Sequence, residues 1–168
     1  MAVSHKIYVT REKRGLPHPE AYLILRSAVA AALAAEGVGV PCQVGVMLTD
    51  DEGIRRLNRE FRGVDAPTDV LSFPFNTLRP GEFDGSACER DPETGRILLG
   101  DMALSVPRCL AQGEEFGHGF AREAAYLAVH SLLHLLGYDH TQEGEDKLGM
   151  RAREKAIMAS MGMPDDTE

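Results

Sequence analysis

The stretch CQVGVMLTDDEGIRRLNREF (residues 42–61) joins a strand pattern to a helix pattern without a loop between them. Apolar residues alternate with others over Cys42–Thr49, which predicts a half-buried strand. Thr49 and Glu52 then have the spacing of a capping box, so we expect a helix that runs from there to about Phe61. A strand followed at once by a helix is therefore the first unit of the predicted fold.

The segments on either side extend this alternation. The pattern of Lys6–Thr10 predicts a strand, and that of Pro19–Glu36 predicts a helix that begins at a proline and ends before Gly37. Farther along, we expect strands over Val70–Phe75 and Arg96–Leu104, a long surface loop over Asn76–Gly95, a short helix from Pro107 to about Gly117, and helices over Phe120–Leu136 and Gln142–Ser160. Pro74 favours either an edge position for the third strand or the end of that strand. The order β, α, β, α, β, β and then three helices predicts an α+β fold with a small mixed sheet of about four strands packed with helices.

The length of 168 residues indicates one domain over residues 1–168, with a tail that we expect to be flexible from about residue 162. A domain of this size buries roughly two-thirds of the surface that its unfolded chain exposes. It therefore needs neither a disulfide nor a structural metal ion in order to fold. A metal site in such a chain is expected to serve chemistry.

The composition points to a cytoplasmic protein without a membrane segment. No stretch approaches the roughly 20 apolar residues that span a bilayer, and residues 1–14 lack the apolar centre of a signal peptide. Cys42, Cys88 and Cys109 form no CxxC pair, so we expect reduced thiols, two of them in the core. The net charge of −8 gives no global attraction to a polyanion. Any contact with nucleic acid must then rely on a local basic surface or on a metal ion.

Three of the six histidines lie within the segment HSLLHLLGYDH (residues 130–140). His130 and His134 are one turn apart on one face of the predicted helix, so both rings can reach one ion. Gly137 then ends the helix, and a turn brings His140 back toward the same point. This spacing, His-x3-His-x5-His with a glycine before the third histidine, predicts a site for one metal ion.

Three neutral imidazoles suit zinc, and also nickel, copper or iron(II). We expect one Zn²⁺ ion per chain, held by His130, His134 and His140. Three protein ligands leave a coordination position open for water or substrate, which is typical of a catalytic zinc site. The pattern therefore predicts a metal-dependent hydrolase.

The same spacing matches the long zinc signature of metzincin proteases, with one difference. Those enzymes have Glu directly after the first histidine as general base, whereas this chain has Ser131. Peptide hydrolysis needs that base, and serine does not take up a proton at neutral pH. A phosphodiester needs it less, because its leaving group can depart with help from a metal ion and an arginine. The difference favours phosphoester hydrolysis over peptide hydrolysis.

Three motifs together resemble the YbeY family of bacterial ribosomal RNA maturation endoribonucleases. They are HSLLHLLGYDH (residues 130–140), LNREFRGVDAPTDVLSFPF (residues 57–75) and LGDMALS (residues 99–105). The family usually has Gly where this chain has Ser131. The resemblance runs from about Val44 to Met161, and the first 40 residues agree with the family only in the order of strand and helix.

The resemblance implies a metal-dependent enzyme that cuts single-stranded RNA, in the maturation of small-subunit ribosomal RNA and in ribosome quality control. It implies that His130, His134 and His140 are the metal ligands and that Arg62 is the active-site arginine. The implied partners are single-stranded or ribosomal RNA, the small ribosomal subunit and assembly factors. They include a small-subunit ribosomal protein and an assembly GTPase, and no membrane is expected among the partners.

Arg62 belongs to a row of arginines on the predicted second helix, spaced i, i+4 and i+7 with Arg55 and Arg59. From spacing alone, a solvated or salt-bridged side chain explains Arg62 as well as a functional one does. The resemblance favours bidentate phosphate binding and stabilisation of transition-state charge by Arg62. Arg55 and Arg59 either follow the RNA backbone or form a solvated face.

The roles of three aspartates stay open at this point. Asp139 either orients a metal-binding histidine or forms the turn, and Asp69 and Asp101 either support the site or stabilise the fold. No side chain is an obvious general base, and the nucleophile is either water or the RNA 2′-hydroxyl.

Two other functions also remain open from the sequence. One is a metallopeptidase in which an acidic residue from elsewhere in the chain activates water. The other is a non-catalytic ribosome assembly factor, in which the metal ion only stabilises the helical half. The acidic net charge favours the assembly factor, because RNA-binding proteins are usually basic.

Overall fold

A computed structural model describes residues 3–139 and 145–164, and its centre is one four-stranded sheet. The strands are β1 (Lys6–Arg11), β2 (Cys42–Thr49), β3 (Val70–Pro74) and β4 (Ile97–Ser105). They lie in the order β1-β2-β4-β3, with β1, β2 and β4 parallel and β3 antiparallel at the edge. The predicted mixed sheet is confirmed, and so is the edge position of the strand that contains Pro74.

The helices follow the predicted order. They are α1 (Ala21–Ala35), α2 (Asp51–Arg62), α3 (Val106–Glu115), α4 (Gly119–Leu135) and α5 (Glu145–Ser160), with one turn of 3-10 helix at Gly85–Ala87. The predicted start of the last helix at Gln142 lies outside the described residues. The α+β prediction is confirmed.

The two faces of the sheet are covered by different helices. Ser72 and Met102 face α4, which packs together with α1 over the apolar core. Phe73 points to the other face, where its ring meets the ring of Phe61 at the end of α2. Because successive residues of a strand point to opposite faces, β3 connects the helix that contains the two histidines to the helix that contains Arg62.

The close packing of α4 on the sheet depends on Gly100 in β4. A Cβ atom at this position would lie 2.6 Å from the carbonyl oxygen of Phe73 and 2.8 Å from Leu135 Cδ2. Such separations are well inside van der Waals contact, so any larger residue would push the helix or the edge strand away. The glycine therefore lets the second half of α4 lie directly on the sheet.

The start of α2 differs from the predicted capping box by one residue. Asp50, not Thr49, is the N-cap, and its side chain accepts a hydrogen bond from the backbone N–H of Gly53. Thr49 is the last residue of β2, and its buried hydroxyl donates to Glu12 instead. The prediction was wrong because a contact distant in sequence occupies the hydroxyl that the local pattern assigned to the cap.

The long loop after β3 is anchored at both ends rather than free. The side-chain amide of Asn76 donates to the carbonyl of Leu98 and accepts from the backbone N–H of Glu89. Leu78 and Phe83 pack against the core. The loop therefore lies against the end of α4, where the backbone of Leu78 touches Gly137.

The cysteines are free thiols, as the sequence predicts. Cys42 and Cys109 are buried and Cys88 is half-buried. Burial raises the pKa of the Cys42 and Cys109 thiols to about 12. Both are therefore protonated, unreactive core residues at neutral pH.

The ends of the chain bear on two further predictions. Met161 and Met163 pack against the core after α5, while residues 165–168 lie outside the described part of the chain, so the flexible tail stays a prediction. Within residues 3–139 and 145–164, no helix combines the length and the apolar character needed to cross a bilayer.

Candidate metal centre

The structure brings His130 and His134 together on one face of α4. Their Nε2 atoms are 3.1 Å apart, and the two rings meet edge to face with centroids 4.6 Å apart. This is the convergence that the i, i+4 spacing predicts. Two nitrogens bound to one tetrahedral zinc ion at 2.0–2.1 Å lie about 3.3 Å apart, so the observed separation suits one ion.

The His134 ring is fixed from behind by the turn that ends α4. Its Nδ1 lies 2.8 Å from the carbonyl oxygen of Tyr138, which can only accept, so Nδ1 of His134 must donate. The Tyr138 hydroxyl in turn donates to Glu36 at the end of α1, and Arg153 of α5 donates to the same carboxylate from Nε at 2.7 Å. Hydrogen bonds through Glu36 therefore connect the turn to α1 and α5.

The carboxylate at the centre of these hydrogen bonds is largely buried. The Glu36 side chain is only 5% exposed. Burial, and next the hydrogen bond to Glu36, raise the pKa of Tyr138 to about 12. Tyr138 therefore stays protonated and donating at any physiological pH, which keeps its backbone carbonyl in place behind His134.

The His130 ring is fixed by a carboxylate from α5. Nδ1 of His130 lies 2.5 Å from Glu154 Oε2, and Glu154 is only 5% exposed. The other oxygen of this carboxylate accepts a long hydrogen bond of 3.4 Å from the Tyr126 hydroxyl. An ionised carboxylate only accepts, so with Glu154 in that form Nδ1 of His130 is the donor.

These two hydrogen bonds bear on which nitrogen of each ring carries the proton. With the proton on Nδ1, a neutral imidazole presents a lone pair at Nε2. When both rings are neutral, His130 and His134 therefore direct two lone pairs toward the same place across 3.1 Å, as two ligands of one cation do. Neutral imidazole nitrogens are ligands that divalent transition metal ions accept, so the histidine pair is a candidate for such a site.

The third predicted ligand, His140, lies outside the described residues. Among residues 3–139 and 145–164, no group of three or more His, Cys, Asp or Glu side chains is arranged to hold a metal ion. The described part of the site is therefore a histidine pair.

Ser131 does not face the histidine pair. It is fully buried, and its Oγ lies 2.6 Å from Oγ of Ser72 in β3. Position 131 therefore packs the helix against the edge strand, and its hydroxyl is occupied. This geometry agrees with the argument from sequence that no general base follows the first histidine.

Arg62 is the last residue of α2 and is exposed before Gly63, which caps the helix in a left-handed conformation. It forms no hydrogen bond or ion pair with any residue in the described part of the chain, and so none with His130 or His134. The structure therefore brings the two histidines together but shows no contact between them and Arg62.

Two other α2 arginines, Arg55 and Arg56, differ from Arg62. Arg55 pairs with Asp65 at 2.7 Å, and the resulting hydrogen bond lowers the pKa of the Asp65 carboxyl. Arg56 pairs with Glu12 at 2.8 Å. Of the two roles left open for Arg55, the ion-paired surface residue is the one that the structure supports.

Asp69 and Asp101 lie away from the histidine pair. Asp69 accepts hydrogen bonds from the backbone N–H of Val70 at 2.7 Å and from the Gln112 side chain at 3.3 Å, which joins β3 to α3. Asp101 is on the sheet face opposite α4, where a Cβ at Gly45 would lie 2.4 Å from its Oδ1. Both therefore have surroundings of their own rather than a contact with the histidines. Asp139 is exposed in the turn.

A cavity of about 530 Å³ lies among α3, α4 and α5, and neither His130 nor His134 lines it. Tyr126 and Glu154 line it, and both contact His130. Its lining also includes the cations Arg122, Arg151 and Lys155 and the carboxylates Asp69 and Glu123. The cavity is therefore mixed in charge, and it supplies no strongly basic surface.

Sequence reasoning missed Glu154, although a signal was present. Met150, Ile157 and Met158 are the buried positions of α5, and Glu154 lies between them at helical spacing. A carboxylate at a core position needs a buried partner, which here is His130. The contribution of Glu36 through Tyr138 had no such signal, because it joins residues about a hundred positions apart.

The fold and the histidine pair define a small α+β protein whose long packed helix presents two convergent imidazoles. The model of the Endoribonuclease YbeY family matches residues 6–162. The chain is 47% identical to Endoribonuclease YbeY of Roseiflexus sp. over 83% of each chain. It is 49% identical to Endoribonuclease YbeY of Chloroflexus aurantiacus over 84% of this chain and 87% of that one. The chain therefore belongs to the Endoribonuclease YbeY family.

A solved structure shows the same fold. The solution structure of TM1509 from Thermotoga maritima superposes with a TM-score of 0.55 and 22% sequence identity, over 93% of this chain and 91% of that chain. At this identity the likeness extends to the fold alone.

Proposed function

We propose that this protein is a metal-dependent endoribonuclease that cuts single-stranded RNA. The observation that supports this best is the pair of Nε2 atoms 3.1 Å apart, each on a ring whose Nδ1 is held as a donor. The second support is membership in a family whose named relatives are endoribonucleases. Under this proposal His140 completes the ligand set with His130 and His134.

The metal ion is proposed to be zinc, one per chain, with nickel or another divalent transition metal as the alternative. When bound, such an ion supplies Lewis-acid polarisation of a phosphoryl oxygen. The residues of the chain hold the rings in the ligating orientation, because Glu154 and the Tyr138 carbonyl bind their far nitrogens. Ser131 adds no proton transfer, since its hydroxyl is buried against Ser72.

We further propose the setting in which the enzyme acts. Its substrate is ribosomal RNA of the small subunit, and its place is the cytoplasm, together with the ribosome and assembly factors. The net charge of −8 supports recognition by a local site rather than by a broad basic surface. We also propose that residues 1–168 form a single domain.

The test is cleavage of an unstructured RNA oligonucleotide by the purified protein, with the metal content measured on the same sample. We expect cleavage that is lost after chelation and restored by adding zinc. A duplex of the same sequence should be cut much more slowly. A protein that holds zinc and leaves the oligonucleotide intact, while digesting casein, would contradict the proposal in favour of a peptidase.

Arg62 is proposed to bind the scissile phosphate and to stabilise the negative charge that develops on it in the transition state. We expect Arg62→Ala to keep the metal ion and the melting temperature of the wild type while cleavage slows by about 100-fold, the effect of removing one charged hydrogen-bond donor from a transition state. Arg55→Ala is the matched control on the same helix, because Arg55 already pairs with Asp65. Equal rates for the two variants would remove the proposed role of Arg62.

A further inference from the structure

Glu154 stands out among the carboxylates of the chain by its surroundings. It is only 5% exposed, it lies in the apolar stripe of α5, and it receives a 2.5 Å contact from Nδ1 of His130. Its second contact, with the Tyr126 hydroxyl, is 3.4 Å long and therefore weak. His130 is thus the main polar partner of this buried carboxylate among the described residues.

A neutral ring does not balance the charge of a buried carboxylate. Burying an ionised carboxylate is strongly unfavourable unless a cation compensates its charge. The His130 ring transmits that compensation when a cation lies at its other nitrogen, since the Nδ1–H bond to Glu154 polarises the ring and makes Nε2 a better ligand. The same bond fixes the tautomer and the direction of the ring.

We infer that Glu154 is a positioning residue that orients His130 and strengthens its bond to the metal ion. This inference rests on the proposed function, because it concerns the ion at the histidine pair. It assigns to α5 a part in metal binding that neither the histidine motif nor any named relative specifies. Glu154 contacts no reacting atom, so it acts only through His130.

The test measures zinc affinity by competition with a chromophoric chelator, on full-length protein. We expect Glu154→Ala to bind zinc about 10–100-fold more weakly, the usual effect of losing a carboxylate partner behind a ligating histidine. Glu154→Gln keeps the shape and one acceptor oxygen without the charge, so its affinity should lie between Glu154→Ala and wild type. The Gln variant also gives an answer if the Ala variant fails to fold.

Glu123 offers a matched control. It is 2% exposed on α4 and contacts His118, which is not a proposed ligand, at 3.3 Å. Glu123→Gln should lower the metal-free melting temperature much as Glu154→Gln does, because each leaves a buried polar partner less well bound. Its zinc affinity should stay within threefold of wild type. A residue with a purely structural role changes the melting temperature alone, whereas a residue that acts on the ion also changes the zinc affinity.

The outcomes distinguish this inference from the proposed function. Weaker zinc binding by both Glu154 variants supports the role of Glu154, whether or not the protein cuts RNA. Wild-type zinc affinity in folded Glu154→Gln and Glu154→Ala overturns it, even if zinc-dependent RNA cleavage is confirmed. Failure of the wild-type protein to bind zinc, nickel or cobalt would overturn both the inference and the metal site.

Discussion

Replacing His130 with alanine is expected to remove zinc binding and to lower the rate of RNA cleavage by about 1,000-fold or more. A bound metal ion contributes several kcal/mol of charge stabilisation, and about 4 kcal/mol corresponds to a factor of roughly 1,000 in rate. The variant loses one of two nitrogens that converge to 3.1 Å, and it also leaves Glu154 buried without its partner. Metal analysis and single-turnover cleavage of an RNA oligonucleotide measure the two effects.

His134→Ala separates the metal effect from the folding effect. It should lose the ion as fully as His130→Ala does, but the described hydrogen bond that it removes is the one to the neutral Tyr138 carbonyl. Breaking a buried charged pair costs more than losing a hydrogen bond to a neutral carbonyl. We therefore expect metal-free His130→Ala to be the less stable of the two in urea, with His118→Ala as a control that keeps both zinc and activity. Near-wild-type cleavage by either ligand variant would refute the proposed centre.

The second large effect is expected from Gly137→Ala. A Cβ atom at Gly137 would lie 2.2 Å from the carbonyl oxygen of Leu78 and 2.7 Å from its carbonyl carbon, and the residue has φ +102°. The obstacle is backbone, which cannot rotate away as a side chain does. Strain at such a φ and overpacking each cost about 1–3 kcal/mol, so we expect a loss of about 3 kcal/mol or more in the free energy of unfolding.

The control for Gly137 is Gly37, which follows α1 with φ +69° and has no atom within 4 Å of an added Cβ. Gly37→Ala should cost only the left-handed strain of about 1–2 kcal/mol. Urea unfolding of the metal-free proteins gives both values. The loss in the free energy of unfolding at Gly137 beyond that at Gly37 measures the clash with the backbone of Leu78. Equal losses at the two glycines would show that this clash does not affect stability. We also expect weaker zinc binding, since Gly137 precedes the carbonyl that holds His134.

The elements that could be predicted from the sequence are those with a local cause. Alternation over Cys42–Thr49 predicted β2 to the residue, and the four-residue interval between His130 and His134 predicted their convergence. The cap at Asp50 was missed because Thr49 binds Glu12, 37 residues away, and no local pattern contains that contact.

The supports of the histidine pair were harder to predict for the same reason. Glu154 lies 24 positions from the ring that it contacts, and Glu36 lies 102 positions from Tyr138. A sequence offers many carboxylates for such roles, 26 in this chain, and only the packed fold selects two of them. The roles of all four site residues remain predictions: the structure places His130 and His134 together without testing metal binding, His140 lies outside the described residues, and no contact joins Arg62 to the pair.

Helix α5 follows the sheet and the histidine pair along the chain, and this order has a consequence for synthesis. A nascent or clipped chain that stops before residue 145 already contains the sheet and both histidines, but it lacks Glu154 and Arg153. Under the proposed function, such a fragment would have a lower affinity for the metal ion, and its Tyr138 turn would lack the support of Arg153. The contacts of α5 with His130 and with the Tyr138 turn therefore form only once that helix has been made.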